Sequence, residues 1–203
     1  MKVLILSQFG DIIENELPVG PEEIVYERDV RSFDLMDSHA RHRFDLLVCF
    51  GHGRILPVED PAFSGVRFIN LHTSLLPHGR GLNPNFSAWL RGEPHGVTIH
   101  EMDGRYDTGR ILFQRAVPID PRSETLRSSY YRKILAAVEL LRDHWEDLLA
   151  QRYTPIPQAD GVGSITTPEQ LRAWSGVIEA YNDRPLTELL AAVAAGTVPR
   201  MAP

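Results

Sequence analysis

The sequence predicts an α/β fold, a mostly parallel twisted sheet flanked by helices, and three observations carry that prediction. The continuous apolar run from Val3 to Leu6 reads as a strand buried on both faces, Asp45 to Phe50 as a second buried run and Val66 to Leu71 as a third strand. A polar helical stretch separates the first two runs, and a loop punctuated by Pro and Gly separates the second from the third. Beyond them one long segment repeats apolar residues at steps of three and four. Strands that alternate with helical segments of this length pair in parallel through crossover connections.

The elements follow in order along the chain. The first strand ends at Ser7, and the stretch from about Ser32 to Arg43 carries Phe33, Met36 and Ala40 at the spacing of one helix face. After the third strand, Pro77 to Pro84 is loop by its Gly and Pro content, and Asn85 to Arg91 reads as a short helix carrying Trp89. Gly96 to His100 and Arg110 to Gln114 are β-prone runs on either side of the turn-rich connector Asp103 to Gly109. A long helix is predicted from about Ser123 to Gln151. Its stripe Leu126, Tyr130, Ile134, Val138, Leu141, Trp145 and Leu148 faces a core. From Tyr153 onward Pro155, Pro157, Gly161 and Gly163 break the pattern, leaving a short helix near Pro168 to Trp174, a last helix over Leu186 to Ala195 and a loosely tied end. Residues 1–151 are read as the main domain and 152–203 as a short irregular C-terminal extension packing on it or extending from it.

Composition excludes several classes of function. A chain of 203 residues with 43% hydrophobic and 24% charged residues is globular, not disordered, coiled-coil or collagenous. No apolar run approaches the roughly 20 residues that span a bilayer, and the apolar start is too short for a signal peptide, so no membrane partner and a cytoplasmic location are expected. The formal net charge is −6 with basic residues scattered, which argues against nucleic acid as a partner. Small molecules are the better expectation. The single cysteine, Cys49, lies inside an apolar run and reads as a buried, inert thiol. His39 and His42 are three apart on a helix, but no third ligand sits beside them, so no metal site is expected.

The chemistry is concentrated at the end of the third strand. Side chains alternate along a strand, so Asn70 and His72 point to the same side, at the carboxyl end where open parallel sheets bind ligands. An Asn amide is a fixed N–H donor for a developing oxyanion, and a His can carry a proton near neutral pH. No Gly-x-Ser-x-Gly elbow occurs and Cys49 lies mid-strand, so the attacking group belongs to the substrate. Asp107, taken alone, reads as a turn-forming aspartate, and a lone Asn70 or His72 as a hydrogen-bonded structural group; only their combination points to chemistry.

Together these stretches carry a resemblance. Asn70-Leu71-His72-Thr73-Ser74-Leu75-Leu76-Pro77, Arg80-Gly81, Gly96-Val97-Thr98-Ile99-His100 and Asp107-Thr108-Gly109-Arg110-Ile111 are similar, in order and spacing, to the signature of the folate-dependent formyltransferases. The resemblance covers roughly Val48 to Gln114 and implies a Rossmann-like sheet with this family's fold. It implies N-formyl transfer from N10-formyltetrahydrofolate to a primary amine, without a metal. On that resemblance Asn70, His72 and Asp107 are the catalytic triad: Asn70 and protonated His72 stabilise the oxyanion, and Asp107 orients His72 and helps move the proton. The segment Gly51 to Leu56, with Gly53, Arg54, Ile55 and Leu56, resembles the one that lines the pterin pocket, and the loop with Met102 and Gly104 would form the opposite wall. Arg105-Tyr106 departs from the usual pattern of that loop.

The acceptor is a separate question. Arg80-Gly81-Leu82-Asn83-Pro84-Asn85-Phe86 resembles the Arg-Gly-x-x-Pro-Asn-x-Trp stretch of sugar N-formyltransferases, with Ser87 in place of Trp and Trp89 nearby. It implies a nucleotide-linked amino deoxysugar as substrate, with His52, Asn83, Asn85 and Trp89 as candidate contacts. Each of these four equally suits loop capping or local packing. The glycinamide ribonucleotide reading lacks a glycine-rich phosphate cradle at Ser7-Gln8-Phe9-Gly10-Asp11, and the tRNA reading lacks a second basic domain after Gln151. Formylation of a carrier-bound aminoacyl group, hydrolysis of formyltetrahydrofolate and a non-catalytic folate-binding domain remain the alternatives. A homodimer is the default expectation for assembly.

Overall fold

A computed structural model describes residues 1–159 and 161–202 of the chain. In chain order the elements are β1 (Lys2–Ser7), α1 (Gly10–Glu16), β2 (Glu23–Glu27), α2 (Leu35–His42), β3 (Leu46–Phe50), β4 (Arg67–His72), β5 (Arg80–Gly81), α3 (Pro84–Arg91), β6 (Gly96–Glu101), β7 (Ile111–Ala116), α4 (Leu126–Asp143), α5 (Trp145–Leu149), β8 (Ile165–Thr166), α6 (Pro168–Ala173), α7 (Ser175–Tyr181) and α8 (Leu186–Ala194). They form two compact units. The first holds Met1–His72, Ile99–Phe113 and Val138–Pro157, and the second holds Thr73–Thr98, Gln114–Ala137 and the chain from Gln158 onward.

The first unit is built on a six-stranded sheet in the order β2-β1-β3-β4-β6-β7. β1 pairs in parallel with β2 and β3, and β3 with β4, in the register Val3↔Leu46 and Cys49↔Asn70. The first run is doubly buried as read, and so is the apolar part of the second: Val3, Leu4, Ile5, Leu6, Leu46, Leu47 and Val48 have no exposed surface, whereas Arg67 and Asn70 of the third are half-buried. Such side chains each contribute about 1.5–3 kcal/mol by leaving water. One face packs Leu4, Leu6, Leu35, Phe44, Leu47, Phe63 and Phe68 into a cluster, with Phe63 edge-on to Phe68 at 5.7 Å.

Several sequence expectations are corrected in this unit. α2 buries Leu35 and Ser38, while Met36 and Ala40 are exposed and Phe33 packs from just outside the helix. Asp34 sets this phase by capping the helix, its carboxylate accepting the Asp37 N–H at 2.8 Å. The single long helix is two, α4 and α5, broken at His144 (φ −114°, ψ 13°). There the His144 ring stacks on Phe113 at 3.9 Å, and Trp145 Nε1 donates to Glu22 at 2.8 Å. The predicted stripe survives the break: six of its seven residues are buried and Tyr130 is half-buried.

The second unit packs Phe86, Trp89, Leu90, Leu126, Leu186, Leu189, Val198 and Met201 into one core. Its short β5–β8 pair joins Arg80 to Ile165 and Gly81 to Thr166. α6 opens with a capping box, Thr167 and Gln170 bonding each other's backbone N–H groups. The end of the chain is tied down rather than loose. Arg91 donates to the carbonyls of Ile165 and Ala202, both at 2.8 Å, and Val198 and Met201 are buried. Among the described residues no helix is long and apolar enough to cross a membrane.

Candidate active site

β4 is an interior strand of the sheet, and of its polar residues His72 is buried while Arg67 and Asn70 are half-buried. Asn70 and His72 lie at its carboxyl end on one side, as alternation requires. Met102 N–H donates to the Phe68 carbonyl at 3.0 Å, which lays β6 beside β4 and brings His100 opposite Asn70. The connector from β6 to β7 then returns Asp107 over both.

Asp107 is the hub of this arrangement. Asn70 Nδ2 donates to its Oδ1 at 3.1 Å, His100 Nε2 stands 3.2 Å from the same oxygen, and His72 Nδ1 stands 3.6 Å from Oδ2. His100 Nδ1 donates to the Glu101 carbonyl at 2.7 Å, which turns Nε2 toward Asn70 Nδ2, 3.1 Å away. The side chains of His72, His100 and Asp107 are 7%, 2% and 12% exposed, so their interactions are little screened by solvent. Asp107 adopts a left-handed backbone (φ 52°), a conformation Asp tolerates better than most residues.

The loop beneath it is built by Asp103, which accepts from Thr108 Oγ1 at 2.9 and 2.8 Å and from Arg105. These bonds hold the Asp103 carboxyl below its usual range even though burial works the other way. Arg105, the departure noted in the sequence, is exposed and does no more than pair with Asp103. Gly109 closes the loop against β6. A Cβ there would lie 1.8 Å from the Glu101 carbonyl oxygen, so only glycine fits.

The other predicted residues divide between surface and interior. Gly53, Arg54 and Ile55 are exposed, and a Cβ on Gly53 would meet nothing within 4 Å. Arg54 donates to the carbonyls of Val30 and Phe33 at 3.3 and 3.2 Å. Leu56 belongs to the apolar cluster and Met102 packs against it, while Gly104 lies 3.7 Å, measured from an added Cβ, from Glu59. His52 is buried edge-on against Phe33, and desolvation, then Arg54, lowers its pKa. Met102 and Asp103 also reach a groove of about 360 Å³ lined with Phe68 and Ile69; Asn70, His72 and Asp107 do not line it.

In the second unit Asn83 caps α3, its side chain accepting the Phe86 N–H at 3.4 Å. Asn85 is 2% exposed and donates to the Leu126 carbonyl and Ser129 Oγ, both at 3.0 Å, and Trp89 lies against the His95 ring at 4.0 Å. Both of these side chains are buried in the second unit. His100 is the group that sequence reasoning missed. Alternation puts Thr98 and His100 on one side of β6, but what sets His100 against Asn70 is the register of β6 on β4.

Cys49 is buried, and desolvation raises its thiol pKa to about 12. Because it is the only cysteine, a thiol reagent should leave native protein unlabelled at pH 8 and label one equivalent after unfolding. Rapid labelling of the native chain would contradict the burial. Among the described residues no group of three His, Cys, Asp or Glu side chains could hold a metal, and His39 packs against Phe44 and Phe63.

The formyl transferase family model matches residues 12–141. The chain belongs to the formyl transferase family. Among its sequence relatives is the methionyl-tRNA formyltransferase of Enterococcus faecalis, 34% identical over 145 residues, which cover 69% of this chain and 46% of that protein. Another is the methionyl-tRNA formyltransferase of Halorhodospira halophila, 40% identical over 120 residues, 57% of this chain and 37% of that one. The chain thus spans about half the length, or less, of the curated relatives it matches. Among solved structures it is similar to the formyltransferase PseJ from Anoxybacillus kamchatkensis, crystallised with UDP-4,6-dideoxy-4-formamido-L-AltNAc and tetrahydrofolate. That likeness has a TM-score of 0.76 and 28% identity, and it covers 93% of this chain and 97% of PseJ. A sugar N-formyltransferase from a Shewanella species superposes with a TM-score of 0.71 at 28% identity, covering 85% of this chain and 79% of that one.

Proposed function

We propose that this family member is a folate-dependent N-formyltransferase whose acceptor is the primary amine of a nucleotide-linked amino deoxysugar. The observation that carries the acceptor is the near end-to-end correspondence with PseJ, which was crystallised with a formamido sugar nucleotide and tetrahydrofolate. At the position of a phosphate cradle after β1, Asp11 holds Arg28 at 2.6 Å, which disfavours a ribonucleotide phosphate there. The identity to methionyl-tRNA formyltransferases supports a second reading, an aminoacyl-tRNA acceptor.

The residues present suit the donor. The open surface at Gly53 and the exposed Ile55 offer backbone and apolar area to a flat heterocycle, close in sequence to the buried β3 strand. When bound, N10-formyltetrahydrofolate supplies the formyl group that is transferred. Asn70 gives up one of its present N–H bonds, to Asp107 or His100, and donates instead to the formyl oxygen as negative charge develops there. His72 donates to that oxygen from the other side, its ring oriented by Asp107 Oδ2. Asp107 then takes the proton released by the attacking amine, directly or through water, and returns it to the departing nitrogen. One C–N bond forms, one breaks and one proton moves, with no change of oxidation state.

An acceptor screen tests the reading. Tetrahydrofolate release is followed with no acceptor, with amino sugar nucleotides, with glycinamide ribonucleotide, with aminoacyl-tRNA and with small amines. Release that depends on an amino sugar nucleotide is the expected result. Release without acceptor would make the protein a hydrolase, release only with methionyl-tRNA would favour the second reading, and silence across the panel would remove the transferase assignment for these acceptors.

A further inference from the structure

The turn that follows β4 is held by buried side chains in place of a neighbouring strand. Thr73 and Ser74 are almost wholly buried. Thr98 Oγ1 donates to the Ser74 carbonyl at 2.7 Å and accepts the Leu76 N–H at 3.2 Å. Gln114 Nε2 donates to the Leu76 carbonyl and to Thr98 Oγ1, both at 2.9 Å. The Leu75 carbonyl accepts the His78 N–H at 3.0 Å, and that of Thr73 accepts from Lys133 Nζ at 3.3 Å.

Lys133 is an expensive way to make that bond. It projects from α4 with no exposed surface, and the Thr73 carbonyl is its hydrogen-bond partner among the described residues. Around it stand Glu93, which favours its charge, and His95, whose pKa is pushed down to about 3 by desolvation and then by Lys133. His78 Nδ1 lies 3.8 Å from Glu93 Oε1, and Trp89 Nε1, Glu93 Oε2 and His95 Nδ1 are buried without hydrogen-bond partners in the structure. Desolvation lowers the Lys133 pKa from its ordinary 10.5 to about 7. A methionine of similar length would fill the same space without burying an ammonium. What the nitrogen adds is the grip on Thr73, the residue directly after His72.

We propose that Lys133 is a positioning residue for formyl transfer: its Nζ fixes the Thr73 carbonyl, and with it the turn after His72, at a cost in stability. The inference rests on the assignment of His72 to the reaction. Misplacing a reacting group by about an ångström can cost on the order of 10²-fold in rate, so a carbonyl held 3.3 Å from its donor is worth protecting.

The test is Lys133→Met in the full chain. It should melt no lower than wild type at pH 7, lose at least about tenfold in kcat, keep KM for donor and acceptor within about threefold, and exchange the Leu76 amide faster. Between pH 7 and 10.5 the unfolded wild-type chain holds a proton on Lys133 that the folded chain does not. Wild-type stability should therefore gain on the variant as pH rises through that window. A folded variant with wild-type kcat overturns the proposal. So does a variant that fails to fold or melts lower, because the proposal requires the ammonium to be a net burden. If wild type itself transfers no formyl group, the functional assignment fails on its own, and unchanged Leu76 exchange in Lys133→Met would separately overturn the positioning role.

Discussion

His72→Gln is expected to lower turnover by about 10²- to 10⁴-fold, the range for losing a group that moves or shares a proton in the transition state, while the fold and donor binding stay near wild type. The reasoning starts from the strand. His72 is 7% exposed, so truncation to Ala would open a cavity and mix a stability loss with a catalytic one. Gln fills most of the space and keeps a neutral donor, but unlike an imidazole it cannot take up and release a proton beside Asp107, 3.6 Å away. Because His72 lies at the carboxyl end of an interior strand, the sheet that places it does not depend on its ring. Turnover with the accepted amine, a melting curve and calorimetric binding of tetrahydrofolate separate the possibilities. More than about a tenth of wild-type turnover in the Gln variant would remove His72 from the proton chemistry.

What could be read from sequence depended on whether an element's environment is local or tertiary. β1 and β3 were legible because both of their faces are buried and their residues form an unbroken apolar run, and β4 because Phe68, Ile69 and Leu71 keep an apolar core between its polar residues. β2 was not. Its sequence Glu-Ile-Val-Tyr-Glu is that of an edge strand, charged at both ends and half-exposed, and no period marks it. α1 has seven residues and buries only Gly10 and Ile13, too few to show a stripe. The α4–α5 break was hidden because the stripe keeps its phase across His144, and the break itself answers to Phe113 and Glu22, far away in sequence.

The candidate site followed the same division. Asn70 and His72 were legible from strand alternation alone, whereas Asp107 needed the resemblance, since a turn aspartate looks the same in isolation. His100 depends on the register of β6 against β4, which no local pattern states. Asn85 and Trp89 were read as candidate contacts from the resemblance of the Arg80 to Phe86 stretch, with local packing as the equal alternative. In the structure every residue of α3 before Arg91 is buried, and Asn85 serves to bond the first turn of α4. Lys133 carries no mark in the sequence, because it lies outside the apolar stripe and its burial comes from a second face of α4.

Asp107→Asn should be as damaging as loss of His72, and for a reason the hydrogen bonds make specific. Asn has the same volume and tolerates the left-handed backbone at φ 52°, so the connector should keep its shape, where Ala would add strain of about 1 kcal/mol. Asn70 Nδ2 donates to Oδ1 at position 107, so an amide there must turn its oxygen toward Asn70. Its NH₂ group then faces His72 Nδ1, where Asp107 Oδ2 stands in the wild type at 3.6 Å. An N–H donor facing Nδ1 selects the imidazole tautomer that is protonated on Nε2, and it removes the negative charge that stabilises an imidazolium. An Asp→Asn exchange beside a catalytic His is costly for this reason, and a loss of about 10²- to 10⁴-fold in kcat is expected. The check combines kcat with the ring-nitrogen chemical shifts of His72. A variant that keeps the wild-type tautomer and more than a tenth of the turnover would show that Asp107 holds the connector but does not act on the proton.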